Sequence, residues 1–354
     1  MPCLTLVLPG MDWPQQTLRD LTCDLPTPGL SALLEHGELS SHANTADQPW
    51  PAIVRAALNT NNLPAAAACR LLGLGSAPDS ARWVCLDPLN LSILQHRMLI
   101  NDPAGLELTM DEAAQLAVPL APTFAPLGEL HITTPTQWHL KLNDAAPSAG
   151  LPALATAIGH SAEGGLSKDR SWRSALNEAQ MVLHQHPVNQ ARSERGQPVI
   201  NSLWPWGDGR LPPVAATHSA QSRLYAAEPM LRGQARHLGI HHEALPMHWN
   251  EIAAGGIDSI IVIDTLHAAT RARDGMRWRD ALAALDANWF QPIFTTWQQQ
   301  TASHITLLMP AAQGVRKLTL TENSLSMRML NQVRQWFPRD KASGLERLAT
   351  ASEN

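Results

Sequence analysis

Six polar residues in the middle of the chain have the types and spacing of a ligand-binding site. Imidazole, amide and guanidinium groups all donate hydrogen bonds to anionic oxygens, and a planar guanidinium contacts two oxygens at once. A carboxylate between two glycines ends the same segment. The candidate ligand-binding residues are His184, His186, Asn189, Arg192, Asn201 and Asp208.

A second group of histidines, His241, His242 and His248, lies beside Glu243. Zinc sites need three or four ligands that converge on the ion. The chain contains neither an HExxH nor a CxxC sequence that would bring such ligands together. The two histidines of the earlier HQH sequence would face the same side only in a strand. We therefore expect no metal at either group of histidines.

Two carboxylates follow apolar runs that are typical of buried parallel strands, Leu4–Leu8 and residues 256–264. Open α/β sheets bind their ligands beyond the carboxyl ends of such strands. Asp12, Asp264 and the nearby His267 are therefore the candidate catalytic residues if the protein is an enzyme. An N-cap or loop role is the alternative for either carboxylate. The chain contains no GxSxG, GxxxxGK[ST] or GxGxxG sequence.

The elements around these residues predict an α/β fold. The run Leu4–Leu8 precedes a helical pattern in residues 27–37, which starts with an N-cap threonine followed by proline. Residues 256–264 and 304–310 are further apolar runs and predict two more buried strands. A strand, a loop and a helix in this order are typical of a doubly wound parallel sheet.

The chain changes character in residues 82–145, where the patterns predict a β-β-α-β order. This order is typical of a smaller α+β subdomain inserted into a larger domain. We predict a discontinuous core of residues 1–80 and 150–340, an insert of residues 81–149 and a polar tail of residues 341–354.

The ligand-binding candidates follow a predicted helix that begins near Asp169 and ends by Gln185, because Pro187 disfavours helical geometry at the preceding residue. Beyond Pro187, the sequence predicts a long loop or a short strand and turn. A further helix is predicted over Arg277–Trp297, where apolar residues share one face.

The last part of the chain predicts a terminal β-hairpin and a short helix. KLTLT (residues 317–321) and SLSMRM (residues 324–329) are separated by a Glu-Asn turn, which is typical of paired strands. A short helix is predicted near Leu330–Trp336.

The composition is that of an ordinary globular protein. The chain has 354 residues, a hydrophobic fraction of 44% and a net charge of −5, so a basic footprint for nucleic acid is not indicated. No apolar run is long enough to span a bilayer, and the N-terminus lacks the charged region of a signal peptide. The four cysteines have no disulfide or zinc spacing. We expect a cytoplasmic protein that binds neither nucleic acid nor membrane.

The segment HPVN, two residues, Arg, three residues, Gly, and later Asn, Gly-x-Gly and Pro resembles the archaeal-type cofactor-independent phosphoglycerate mutases. LVLPGMDW and TPGLSALLEHG resemble the first strand and helix of that family. Over most of its length the chain also resembles the proteobacterial regulatory proteins of the RpfE type, which are shortened relatives. The matching residues are His186, Pro187, Val188, Asn189, Arg192, Gly196, Asn201, Gly207, Gly209 and Pro212.

This resemblance implies an alkaline-phosphatase-like α/β fold with two divalent metals, Mn or Mg, and a phosphorylated serine. The residues of this chain depart from that pattern at each expected ligand loop. Pro9 stands where the first metal-binding Asp is expected, and residues 65–68 are alanines where the serine and an Asp are expected. Only Asp264 and His267 remain after the second strand, and Pro310-Ala311 replaces the last ligand pair.

The resemblance therefore predicts a mutase-like protein that has lost two-metal phosphoryl transfer and acts as a binding or regulatory pseudoenzyme. No metal or other cofactor is expected, and the partner is an unknown small phosphorylated ligand or a protein. The first alternative is an active mutase or phosphatase that uses Mn or Mg with Asp12, Asp264 and His267. The second alternative is an interaction scaffold without a ligand. In the pseudoenzyme, we expect His186, Asn189 and Arg192 to bond to backbone or to one another.

Overall fold

The computed structural model describes residues 3–43, 65–94, 97–158, 167–211, 222–252, 258–299, 304–311, 314–321 and 348. The strands are β1 Cys3–Val7, β2 Glu38–Ala43, β3 Arg82–Leu89, β4 Leu91–Leu94, β5 Arg97–Ile100, β6 Gly128–Ile132, β7 Trp138–Leu142, β8 Ser202–Gly209, β9 Ser222–Ala226, β10 His241–Glu243, β11 Asp258–Val262, β12 His304–Ala311 and β13 Gly314–Leu320.

The α-helices are α1 Gln15–Thr22, α2 Pro28–His36, α3 Ala66–Gly73, α4 Met110–Phe124, α5 Leu154–Ala157, α6 Arg170–His184, α7 Pro187–Glu194, α8 Pro229–His237, α9 Thr265–Arg271, α10 Gly275–Leu285 and α11 Gln291–Gln298. Short 3-10 turns occur at Pro103–Leu106 and Trp249–Glu251, and a π-helical turn at Asp286–Phe290 joins α10 to α11.

The chain divides into two compact units. Unit 1 comprises Met1–Asn61, Thr217–Ala227 and Gly239–Asn354, and unit 2 comprises Asn62–Ala216 and Glu228–Leu238. The second unit is therefore larger than the predicted insert. The physical reason is that β8 pairs with β3 and that α3 packs against α8, so segments on both sides of the predicted insert share its core.

Unit 1 is built on a seven-stranded sheet in the order β10-β9-β11-β1-β12-β13-β2. The strands from β10 to β12 are mutually parallel, whereas β13 and β2 are antiparallel. The three apolar runs predicted as buried strands form β1, β11 and β12, the centre of this sheet. The successive residues Leu6 and Val7, whose side chains point to opposite faces, are both fully buried, as expected for a strand covered on both faces.

The predicted terminal hairpin is wrong. Residues 317–320 lie in β13, which pairs with β12 on one side and β2 on the other, so both hydrogen-bonding edges of this strand are occupied. Residues 324–329 and 330–336 lie outside the described part of the chain. The predicted tail lies outside it as well, except Leu348, whose side chain is buried in the core of unit 1.

Unit 2 contains an antiparallel sheet in the order β6-β7-β3-β8 and a two-stranded ribbon of β4 and β5. Helices α4 and α6 cover the sheet with one apolar face each, for example Leu116 and Phe124 from α4 and Trp172 and Leu183 from α6. The predicted β-β-α-β order of residues 82–145 is confirmed, with two additional strands, because three strands precede α4 and two follow it.

Residues 187–194 form helix α7 rather than the predicted loop. Pro187 ends helix α6 but takes the first position of the next helix, where a missing N–H removes no hydrogen bond. The prediction failed because a proline that ends one helix can also begin the next. Among the described residues, no helix is long and apolar enough to cross a membrane.

Candidate functional site

The carboxyl ends of β1 and β11 place two of the predicted catalytic residues on one edge of the unit 1 sheet. The two strands are parallel neighbours, with Val7 opposite Val262. Asp12 follows β1 by five residues and Asp264 follows β11 by two residues. His267 lies in the first turn of α9, which starts after Asp264. The sequence thus identified an edge where α/β sheets bind ligands.

The loop after β1 is packed directly onto helix α9. Gly10 has φ +97°, and a Cβ atom there would lie 2.5 Å from the backbone carbon of Leu266. Its carbonyl oxygen accepts hydrogen bonds from Thr270 Oγ1 at 2.7 Å and Trp278 Nε1 at 2.8 Å. Protein atoms therefore fill the space between this loop and the helix, and the side chains of Thr270 and Trp278 hold the loop in place.

A guanidinium group occupies the other side of Asp12. Arg316 projects from β13, where it is 7% exposed, and its Nη2 lies 3.5 Å from Asp12 Oδ1. Arg316 Nη1 also donates to the carbonyl oxygen of Leu348 at 3.2 Å. A guanidinium group held by the fold therefore lies beside Asp12 at this edge.

Asp264 lies at the N-cap position of α9 without capping it through its side chain. Burial raises the pKa of its carboxyl group above the ordinary value, and Arg271 offsets part of this effect. This location fits the alternative to a catalytic role, in which Asp264 is an N-cap residue. Its perturbed pKa at a strand end also keeps it as the carboxylate to test in any catalytic hypothesis.

The described residues do not fit the pair of metals that the family resemblance implies. They contain no group of three or more His, Cys, Asp or Glu side chains that could hold an ion. Pro310 and Ala311 pair with Val315 and Gly314 in a regular antiparallel ladder. Two divalent ions need several anionic or imidazole ligands at each centre. The described residues do not provide such a set of ligands.

The HPVN segment in unit 2 places its polar side chains on the backbone. His186 is the N-cap of α7, where its Nδ1 accepts from the backbone N–H of Val188 at 3.2 Å. Asn189 is buried, donates to the carbonyl oxygens of Leu183 and Ile200, and accepts from the N–H of Ile200 at 2.8 Å. These bonds tie the end of α6 and the start of β8 to α7.

Arg192 is completely buried and anchors the same helix. It donates to the carbonyl oxygens of Pro198 and Leu106, and its Nη1 lies 2.7 Å from Glu112 Oε2. Glu112 also forms the capping box of α4 with Thr109. His186, Asn189 and Arg192 bond to backbone, as predicted. Arg192 also pairs with Glu112, which was not among the predicted partners, and the three residues hold a helix rather than a loop.

The three remaining ligand-binding candidates lie apart from that helix. Asn201 exchanges two hydrogen bonds with the backbone of Leu91, at 2.7 and 2.8 Å. Asp208 pairs with Arg82 at 2.9 Å and accepts from Ser148 at 3.1 Å. His184 is exposed at the end of α6. The structure therefore does not gather the six candidates around one binding site.

Sequence reasoning missed a buried ionic cluster in unit 2. Arg70 on α3 forms a two-point pair with Asp87 on β3, both bonds 2.8 Å, and donates from Nε to His139 Nε2 at 2.9 Å. Burial alone would lower the pKa of Arg70, but Asp87 outweighs it and raises the pKa. Trp206 Nε1 donates to Asp87 at 2.7 Å.

This cluster had a signal in the sequence. Arg70 stands in the run AAAACRLLG and Asp87 in WVCLDPL, so each is a single charge in an otherwise apolar run. Buried charges are paired, because an unpaired one is too costly to desolvate. Two opposite charges isolated in this way predict a buried pair. The cluster is fully enclosed, so its arrangement supports packing rather than chemistry on a ligand.

No protein-family model matches the chain. A segment of 43 residues is 42% identical to the probable 2,3-bisphosphoglycerate-independent phosphoglycerate mutase of Geobacter sulfurreducens, covering 12% of this chain and 11% of that protein. The cofactor-independent phosphoglycerate mutase from Thermoplasma acidophilum aligns over 92% of this chain and 91% of its own, with 16% identity and a TM-score of 0.47. The PH0037 protein from Pyrococcus horikoshii aligns over 90% and 87%, with 14% identity and a TM-score of 0.52.

The likeness to the Pyrococcus protein shows a shared fold. Together with the parallel strands of unit 1, it confirms the predicted α/β fold class with a core built on a largely parallel sheet. At 14% identity it shows nothing about activity. The Geobacter match covers about a ninth of that protein, so its activity is not transferred by it.

Proposed function

We propose that this protein is a phosphoglycerate-mutase-like pseudoenzyme of the RpfE regulatory type. It has lost two-metal phosphoryl transfer and acts in the cytoplasm by binding a small phosphorylated ligand or a protein partner. The observation that carries this proposal is the strand-end edge of unit 1, where Gly10 is packed on α9 and Arg316 lies beside Asp12.

The charges at this edge oppose a two-metal centre. A divalent ion near Asp12 would lie next to the Arg316 guanidinium, which is held by Leu348 and is 7% exposed. Like charges at such a distance repel by roughly 4 kcal/mol for unit charges 4 Å apart at an effective dielectric constant of 20. Asp264, whose pKa is raised by burial, would add one carboxylate at most.

The HPVN segment supports the same proposal. In unit 2, Asn189 and Arg192 donate hydrogen bonds to backbone carbonyl groups, and Arg192 also pairs with Glu112. These bonds hold α7 in place. A ligand that took these donors would leave buried carbonyl oxygens without partners, which costs about 1–3 kcal/mol for each group. This segment therefore supports the fold, and a ligand has to bind elsewhere.

A metal-dependent assay tests the loss of activity. The full chain with 1 mM Mn²⁺ is expected to leave a chromogenic phosphate ester intact and to leave 2- and 3-phosphoglycerate unconverted. Asp264→Ala provides the diagnostic variant and exposed Asp111→Ala its control. Turnover in the wild type and in Asp111→Ala, abolished by Asp264→Ala, would overturn the proposal in favour of an active phosphomutase or phosphatase.

A second measurement separates a ligand binder from a scaffold. Unfolding is followed with and without phosphoglycerates and nucleotides. A ligand at about 100 times its Kd stabilises the native state by about 2.7 kcal/mol. Stabilisation by a phosphorylated compound would show that the protein binds a small phosphorylated ligand. If none of these compounds shifts the unfolding transition at millimolar concentration, the protein-partner branch is favoured.

A further inference from the structure

Arg316 occupies an inward-facing position at the ligand-binding edge of the unit 1 sheet. Side chains alternate along β13, and Arg316, Leu318 and Leu320 lie on its buried face. Because β13 runs antiparallel to β12, its first residues lie beside the carboxyl end of β12. Open α/β sheets bind their ligands beyond this edge. The strand therefore places a guanidinium at a position where the alternation favours an apolar side chain.

The contacts of this guanidinium are long for a buried charge. Its Nη2 lies 3.5 Å from Asp12 Oδ1, and its Nη1 donates to the neutral carbonyl oxygen of Leu348 at 3.2 Å. Charge-assisted bonds of an arginine are normally about 2.7–2.9 Å long. Arg70 and Asp87 of unit 2 form such a pair, with both bonds at 2.8 Å. Arg316 therefore keeps the capacity to bind an anion with both arms of its planar fork.

Leu348 reaches Arg316 from a distant part of the chain. It is the one described residue beyond residue 321, and its side chain is 1% exposed in the hydrophobic core of unit 1. Its carbonyl oxygen accepts the hydrogen bond from Arg316 Nη1. The described anchor thus consists of one apolar side chain and one hydrogen bond. Regions held by few buried apolar contacts open locally at a low free energy.

We propose that the Leu348 carbonyl occupies the place of an anionic ligand on Arg316, so that ligand binding releases Leu348 from unit 1. The nature of the ligand, a small phosphorylated compound, rests on the proposed function. A phosphoryl group presents two charged oxygens to the guanidinium fork, whereas the carbonyl presents one neutral oxygen. The ligand and Leu348 compete for the same guanidinium. By linkage, the ligand weakens the Leu348 anchor by the factor by which the anchor weakens ligand binding.

Trypsin cleavage after Arg347 measures this release, because that peptide bond directly precedes Leu348. A protected bond is cut through the open form, so the rate of cleavage follows the open population. The full chain is digested in EDTA, with sodium chloride at matched ionic strength as the reference. At about 10 mM, 3-phosphoglycerate or inorganic phosphate is expected to speed this cleavage about tenfold. An effect of phosphate alone shows that the phosphoryl group is sufficient.

Substitution of the guanidinium separates the anchor from an unspecific effect of the anion. Arg316→Gln should speed cleavage after Arg347 about tenfold without any anion, and added anions should then have no further effect. Arg279→Gln is the matched control, since Arg279 of unit 1 also bonds a carboxylate, Asp24, and a backbone carbonyl, that of Leu21. The control should behave like the wild type. Unchanged circular dichroism verifies that both variants are folded.

Leu348→Ala tests the coupling from the other side and leaves β13 intact. The shorter side chain weakens the anchor, so this variant should be cut faster and should bind 3-phosphoglycerate about tenfold more tightly than the wild type. Three results would overturn the proposal: no acceleration by either anion in the wild type, equal acceleration in Arg316→Gln, or wild-type behaviour of Leu348→Ala. Each is measured without metal or turnover, so it is distinguishable from a failure of the proposed loss of activity.

Discussion

The strand-end edge of unit 1 lacks most of the polar residues that the family resemblance implies there, whereas the HPVN segment of unit 2 has those implied for it. At the strand ends, where ligands bind in open α/β sheets, the loop after β1 is closed by Thr270 and Trp278. In the HPVN segment, His186, Asn189 and Arg192 are present and are bonded within the fold. Asn189 alone makes three hydrogen bonds to backbone.

The comparison teaches that a segment with the residue types of a binding site can have a purely structural task. Asn189 and Arg192 satisfy buried carbonyl groups at the junction of α6, α7 and β8, and a different residue there would leave those groups unpaired. A residue whose only task is to bind a metal has no such constraint. Pro310 and Ala311 fit the antiparallel ladder of β12 without any polar function.

The largest effect is expected from the ionic cluster that holds the second unit together. Asp87→Ala leaves the fully buried guanidinium of Arg70 without its carboxylate and should lower the free energy of unfolding by about 3–5 kcal/mol. The matched control is Asp208→Ala, which breaks a pair with Arg82 whose side chains are 22% and 23% exposed. It should lower that free energy by no more than about 1 kcal/mol. Urea denaturation measures both, and equal losses would contradict the assignment.

The next effect concerns Asn189. Replacing it by Ala removes two donors and one acceptor from buried backbone groups of Leu183 and Ile200, and we expect a loss of about 3 kcal/mol. Asn177→Ala, on the exposed side of α6, should change the free energy of unfolding by less than about 0.5 kcal/mol. A stable Asn189→Ala protein that loses ligand binding would instead make Asn189 a ligand contact.

A pH dependence is expected from His139 in the same cluster. Burial first, and then the charge of Arg70, lower the pKa of His139 to about 2 from 6.5. Below pH 6.5 the unfolded chain binds a proton at this site that the folded chain does not bind. Stability is therefore full above about pH 6.5 and falls below it, by up to about 1.4 kcal/mol for each pH unit.

Urea denaturation at pH 7.5 and pH 5.0 measures this dependence. His139→Gln should flatten the loss between the two values, because glutamine binds no proton. His184→Gln, at an exposed histidine, should keep the dependence of the wild type. The same slope in all three proteins would show that His139 is not the titrating group.

The smallest effect is expected at the helix cap of the HPVN segment. His186→Ala removes the acceptor for the Val188 N–H and should lower the free energy of unfolding by about 1 kcal/mol. His184→Ala should change it by less than about 0.5 kcal/mol, although this residue lies only two positions away. An equal effect of both substitutions would argue against the cap.

The sequence predicted correctly those helices and strands that are determined by the pattern of neighbouring residues. The apolar run of β1 and the proline-initiated helix α2 lie where the sequence indicates. Helix α7 was not predicted from the sequence, because Pro187 both ends helix α6 and begins the next helix. The unit boundaries differ from the prediction because the pairing of β8 with β3 joins residues more than a hundred positions apart.

The candidate site was only partly predictable for a related reason. Residue types showed that Asp12 and Asp264 follow parallel strands, and this placement is correct. They could not show that Arg316, three hundred residues later, lies 3.5 Å from Asp12. That contact depends on the antiparallel register of β13, in which Arg316 pairs with Met309. The register between two paired strands is fixed in the folded sheet, and residue types alone do not reveal it.

The most direct test of the central claim is the free energy of unfolding with 1 mM Mn²⁺ compared with EDTA. If the strand-end edge no longer forms a metal site, the two values should agree within about 0.5 kcal/mol, in the wild type and in Asp264→Asn. A site with a Kd of about 10 µM would stabilise the protein by about 2.7 kcal/mol. A gain of that size, lost in Asp264→Asn, would contradict the account and restore a metal-dependent enzyme.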